Sequence, residues 1–143
     1  MRRFVLLSTL ASVLLVPIVA AQSTPPAQPP AKPAKYIPPV KGLATIEVMQ
    51  SSKPGAKEWV TTVKVRNTSK GPINLLRANE YWYDANLNIV SASEYRHRKA
   101  PIQPGEIVEF TMHSPAKPGM QRNQIMFTHA YGKVEAKAVK AFK

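Results

Sequence analysis

An all-β fold, an antiparallel sandwich of about seven strands, is what this chain predicts, and three features predict it. From Gly42 onward, apolar and polar residues alternate with period two. β-branched and aromatic residues fill the alternating runs, as strands prefer. Turn-forming residues break the runs at short, regular intervals.

The elements follow in order. Ala44, Ile46 and Val48 open a first strand. Trp59, Thr61, Val63 and Val65 then alternate with Val60, Thr62, Lys64 and Arg66, a half-buried strand with a basic outer face. Residues 73–83 and 89–98 supply two more. Val108, Phe110 and Met112 alternate with Ile107, Glu109 and Thr111 in a fifth. Ile125 and Phe127 head a sixth that runs on to Tyr131. Val134, Ala136 and Ala138 suit a last strand; the stretch is also rich in helix formers, but a Gly132-Lys133 turn folds it back onto its neighbour. Turn signals stand between the runs at Lys53-Pro54-Gly55, residues 67–72, Asp84-Ala85-Asn86, Pro104-Gly105 and residues 115–119. Val63, Val65, Phe110, Ile125 and Phe127 are the expected core.

The 143 residues divide into three parts. Residues 1–21 read as a secretory signal peptide: Arg2 and Arg3, an apolar run, then Val19-Ala20-Ala21 before the expected cleavage point. The apolar run is short for an uncleaved anchor, and Pro17 suits a cleavage region. No transmembrane span remains after cleavage, and the destination is periplasmic or extracellular. Residues 22–41 carry seven of the 14 prolines. Such a segment favours extended, solvated polyproline II and reads as a disordered Pro-rich linker, a spacer rather than a ligand for a proline-binding groove. Residues 42–143 form the β domain.

Charge and composition narrow the chemistry. Twenty Lys and Arg against eight Asp and Glu give a net charge of +12. No cysteine is present, which excludes disulfides, thiolate metal sites and a cysteine nucleophile. Asp84 is the sole aspartate, so paired-aspartate chemistry is excluded. The six glycines stand singly in turns and build no phosphate loop, and no Gly-x-Ser-x-Gly elbow occurs. Glu80 and Asp84 lie at i and i+4 on one face of a strand, where a charge pair reads as solvated surface. We therefore expect no catalytic residues and no cofactor.

Several residues together resemble a known family. Val63-Lys-Val-Arg-Asn-Thr68, Tyr83-Asp84 closing a strand, and Ile102-Gln-Pro-Gly-Glu106 leading into Val108-Glu-Phe110 resemble the FxLYD domains over about residues 43–131. The resemblance implies a small, exported bacterial domain of Ig-like or fibronectin-III-like sandwich fold, with no active site to carry over. Glu80 stands where the name motif has its Phe, and Trp82 where it has Leu. The glycine usual after the Tyr-Asp turn is replaced by Asn86-Leu87-Asn88.

Three surfaces remain as binding candidates. Lys64, Arg66, Arg96, Arg98 and Lys99 form a basic surface suited to anionic lipid or wall polymer; export argues against nucleic acid. Tyr81, Tyr83 and Tyr95 would make an aromatic platform if all faced outward. Met112, His113, Met120, Met126 and His129 lie within 18 residues and carry the soft ligands that suit copper. The sequence thus reads as an exported, non-enzymatic interaction domain, in weak contact with an envelope component such as a protein, anionic lipid or wall polymer. A periplasmic copper-binding protein is the alternative.

Overall fold

The computed structural model describes residues 35–143; the expected signal segment and most of the expected linker lie outside the described residues. Seven strands form: β1 (Ala44–Pro54), β2 (Glu58–Asn67), β3 (Arg77–Tyr83), β4 (Ile89–Arg96), β5 (Ile107–Pro115), β6 (Arg122–His129) and β7 (Gly132–Ala138). There is no helix among the described residues. The strands share one sheet in the order β4-β3-β6-β7-β1-β2-β5. The sheet curls until its two ends meet, and the Ser91 hydroxyl of β4 donates to the Pro115 carbonyl of β5 at 2.7 Å. The result is nearly a barrel.

The sheet is mixed where the sequence predicts a wholly antiparallel one. β1 and β7 are parallel, pairing from Ala44↔Val134 to Val48↔Ala138. The remaining pairs are antiparallel. The parallel pair arises because both strands start at the same end of the fold. β7 leaves the short β6–β7 hairpin and crosses to β1 instead of staying on β6.

The period-two pattern decides what is inside. Ala44, Ile46 and Val48 of β1, Val63 and Val65 of β2, Phe110 and Met112 of β5 and Phe127 of β6 are buried together with Ile73, Leu76, Ala78 and Ile102. Ile125 is only half-buried, because it borders a gap between β6 and β7. β3 begins at Arg77 rather than at Ile73. Leu75 takes a left-handed φ of 49° and ends the extended run, leaving Ile73 in an isolated bridge to Ile102. β4 likewise stops at Arg96, after which His97 turns inward.

The strand directions put a distinct set of loops at one end. The starts of β1, β3, β5 and β7 and the ends of β2, β4 and β6 all lie there. We call it the entry end, since the chain enters the domain through residues 35–43. Backbone bonds lock these loops together: Val40 N–H to Pro72, Gly42 N–H to Tyr131, Ala130 N–H to Asn74, and His97 N–H to Leu76.

Candidate functional site

The interior contains a charged cluster that the sequence hides. Glu80 faces inward between Ala78 and Trp82 and has 0% exposure. Its Oε1 accepts from the Thr61 hydroxyl and the Asn123 amide, both at 2.6 Å. Its Oε2 accepts from the Ser114 hydroxyl at 2.6 Å and the Ser93 hydroxyl at 3.1 Å. Ser52 bonds both Thr61 and Asn123, at 2.8 and 3.0 Å. One polar residue from each of β2, β4, β5 and β6 thus donates to this β3 carboxylate, and Ser52 of β1 joins the network one bond further out. Trp82 packs against Trp59 beside it, ring centroids 4.6 Å apart and planes tilted by 39°.

Burial alone would raise the Glu80 pKa, yet the hydrogen bonds from Ser114, Thr61 and Asn123 together outweigh it, and the carboxyl sits below its ordinary range. No cation lies within ion-pair distance among the described residues. A carboxylate with two donors on each oxygen is a poor base and has little acceptor capacity left. Its bonds tie β3 directly to β2, β4, β5 and β6. The expectation that Glu80 and Asp84 share a solvated face fails for Glu80. Asp84 is half-buried just past the strand end, where its side chain accepts from the Asn86 and Asn88 backbone amides at 2.9 Å. The bond from Asn88 leads in holding its carboxyl below the ordinary range.

The basic candidates separate. Lys64 pairs with Glu109 at 3.0 Å. Arg66 pairs with Glu47 and places its guanidinium over the Phe142 ring, 5.3 Å from the centroid. Both belong to β2, on the wall away from β4. Arg96 grips Glu94 through two bonds of 2.7 and 3.1 Å, and this contact is the main cause that holds the Glu94 carboxyl below its ordinary range. Arg98 and Lys99 lie in the loop beyond and make no ion pair among the described residues.

At the entry end Arg96 and Arg98 gain neighbours the sequence did not join to them. Arg96 is the cross-strand partner of Arg77, Arg77 of Thr128, and Thr128 of Lys133. All four residues are exposed, so a largely basic row crosses four strands. Leu75, Arg77, Arg96, His97 and Arg98 line a shallow cavity of about 310 Å³. Lys70, with Ile37, Val40 and Leu43, lines a second of about 500 Å³. Among the described residues, six of the nine exposed large hydrophobic residues belong to this end: Tyr36, Ile37, Leu43, Leu75, Ile107 and Tyr131. Leu75 is 51% exposed and is held out by its left-handed backbone. A left-handed residue with a Cβ is strained by about 1 kcal/mol or more.

The aromatic and metal candidates do not assemble. Tyr81 and Tyr83 point outward from β3, but Tyr95 points inward from β4 and stacks flat on Phe110 at 3.8 Å. Met112 is buried, whereas its neighbour His113 faces out and contacts Glu58 at 2.9 Å. Met120 takes the Lys117 N–H on its sulfur at 3.0 Å. Met126 is exposed on the outer face of β6. His129 is buried at the entry end, where Nε2 donates to the Gly42 carbonyl at 2.7 Å and Nδ1 accepts from Tyr131 N–H at 3.4 Å. These residues divide between the two faces and the two ends of the fold.

No protein-family model matches the chain, and no curated protein matches it.

Proposed function

We propose that this protein is an exported, non-enzymatic β domain that attaches weakly to the anionic lipid surface of the cell envelope through its entry end. One observation carries the reading: cations that make no ion pair among the described residues, together with exposed apolar side chains, gather at the end where the chain enters. Arg77, Arg98, Lys99, Lys70 and Lys133 provide the charge. Leu75, Ile37, Leu43 and Tyr131 provide apolar groups of the kind that enter a headgroup layer. The earlier pairing of Arg96, Arg98 and Lys99 with Lys64 and Arg66 gives way to this set, since Lys64 and Arg66 are satisfied by acids on the other wall. The strand order, with β4, β3 and β6 on one wall and β1, β2 and β5 on the other, supports the Ig-like reading and the resemblance to FxLYD domains. Export rests on the signal pattern of residues 1–21 and is checked by reading the mature N-terminus, expected at Gln22.

Each exposed cation near an anionic bilayer contributes about 1 kcal/mol at low salt. The test is cosedimentation with phosphatidylglycerol-containing vesicles between about 0.05 and 0.5 M salt, a range that shortens screening to a few ångströms. Binding is expected at low salt and release at high salt. Arg77→Glu with Arg98→Glu should abolish it, while Lys64→Glu should leave it near the parent value. Equal binding to neutral phosphatidylcholine vesicles, or binding indifferent to salt, would sink the proposal.

A further inference from the structure

The wall of the fold is open along one line. β6 pairs with β3 from Tyr83↔Arg122 to Arg77↔Thr128, all of its length but His129. On its other side it pairs with β7 only at Thr128↔Lys133 and His129↔Gly132. β7 then leaves for β1, and the Val139 N–H extends that ladder to the Val48 carbonyl at 2.9 Å. From Phe127 back to Arg122, β6 therefore presents an unpaired backbone edge. β7 presents another from Val134 to Ala138.

Between the two edges lies a cleft of about 300 Å³, with Ile125 and Phe127 on one side, Ala136, Ala138 and Val139 on the other, and Val48 between them. Ala136 and Ala138 are the register partners of buried Ile46 and Val48, yet both are exposed. They occupy inward-phase positions of a strand that nothing covers. The outward positions beside the cleft carry exposed Arg122 on β6 and exposed Glu135 and Lys137 on β7, with exposed Lys140 two residues past the end of β7, so cations outnumber acids there three to one. None of the three cations makes an ion pair among the described residues.

We infer that this seam receives an extended, acidic segment of a partner protein, added as a strand between β6 and β7. The two edges supply backbone donors and acceptors, the usual source of affinity in strand addition. Small apolar side chains of the guest would cover Ile125, Phe127 and the two alanines. Alternate acidic side chains would face outward to Arg122, Lys137 and Lys140, by charge complementarity. The site is separate from the lipid-facing end, so a surface-attached domain keeps it accessible.

The probe is a capped peptide as long as β6, alternating valine and glutamate, followed by backbone amide shifts of the full β domain. Saturable binding is expected, with shifts confined to residues 122–127 and 134–139. A valine–lysine version should bind about tenfold or more weakly, since like charges oppose it. A version N-methylated on alternate residues should not bind, because it lacks the donors. Ala136→Lys with Ala138→Lys, both at exposed positions, should abolish binding without lowering the melting temperature. The inference is overturned if the glutamate peptide does not bind, if the lysine and N-methylated peptides bind equally well, or if shifts fall elsewhere. It is also overturned if the purified domain is a dimer that Ala136→Lys dissociates, for then a second copy fills the seam.

Discussion

At Glu80 a negative charge is held in the interior by hydroxyl and amide donors, and its removal has a definite sign. The folded-state pKa lies below the ordinary value of 4.5. The stabilisation is therefore complete above that value and is lost as pH falls through the lower folded-state pKa. Glu80→Gln should cost about 1–3 kcal/mol at neutral pH, because its amide group would confront Ser114 and Ser93 as a second donor. The same substitution should flatten the acid limb of stability below the ordinary carboxylate range. Urea unfolding at several pH values reads both effects, and an unchanged acid limb would place the responsible carboxyl elsewhere. Leu75 makes an opposite case. Leu75→Asn puts a residue that tolerates left-handed backbone at φ 49° and should raise stability by about 0.5–1 kcal/mol. It should at the same time weaken vesicle binding, since the exposed apolar group is gone. A variant that melts higher and binds lipid as well as the parent would remove Leu75 from the surface site.

The elements are held by a few contacts of high consequence. Phe110 on β5 is buried and lies flat against Tyr95 on β4, across the join between the two ends of the sheet. Phe110→Ala should cost about 3–5 kcal/mol by leaving a cavity at that join. A domain that melts unchanged would mean the join does not depend on the stack. The start of β7 is as tightly constrained. A Cβ at Gly132 would stand 2.1 Å from the Gly42 carbonyl oxygen, a backbone atom that cannot yield without moving the chain entry. Gly132→Ala should therefore destabilise by about 1–3 kcal/mol, read by thermal melting. The short β6–β7 hairpin was legible from Gly132, but the departure of β7 toward β1 was not. Period two assigns faces within a strand and is silent on which strand lies beside it.

For the molecule as a whole, the domain does not begin cleanly at its first strand. Half-buried Val40 packs against the core, and its N–H donates to Pro72 at 2.9 Å. A Cβ on Gly71 would meet the Pro38 carbonyl at 2.5 Å, so residues 38–40 run close along the β2–β3 loop. A protein starting at Lys35 should be about 1–2 kcal/mol more stable than one starting at Gly42, from the added apolar burial and hydrogen bond. Denaturant titration of the two lengths measures this, and equal midpoints would make residues 35–41 a bystander. The same segment brings Ile37 to the basic end, which links the stability of the entry to the proposed attachment surface.

Much of the fold was written in local pattern. Alternation in β2 and β5 assigned Val63, Val65, Phe110 and Met112 to the core, and turn residues marked the joins, because both depend on side chains near one another in the chain. The candidate sites were less legible. Arg96 and Arg98 stood out as a run, but their partners Arg77 and Lys133 lie on β3 and β7, far off in sequence and adjacent only through register. Tyr95 looked like a companion to Tyr81 and Tyr83 until the phase of β4 turned it inward. Glu80 was the deepest concealment. A glutamate flanked by Asn79 and Tyr81 looks like surface, and nothing nearby announces donors from four other strands. The sequence by itself determined that the chain is all-β, where most strands run and that it is strongly basic. The tertiary structure alone decided that a carboxylate is buried with no cation beside it among the described residues, that cations and apolar groups meet at one end, and that β6 and β7 pair at only two positions. Those features depend on strand order and closure, which join residues that no local periodicity relates.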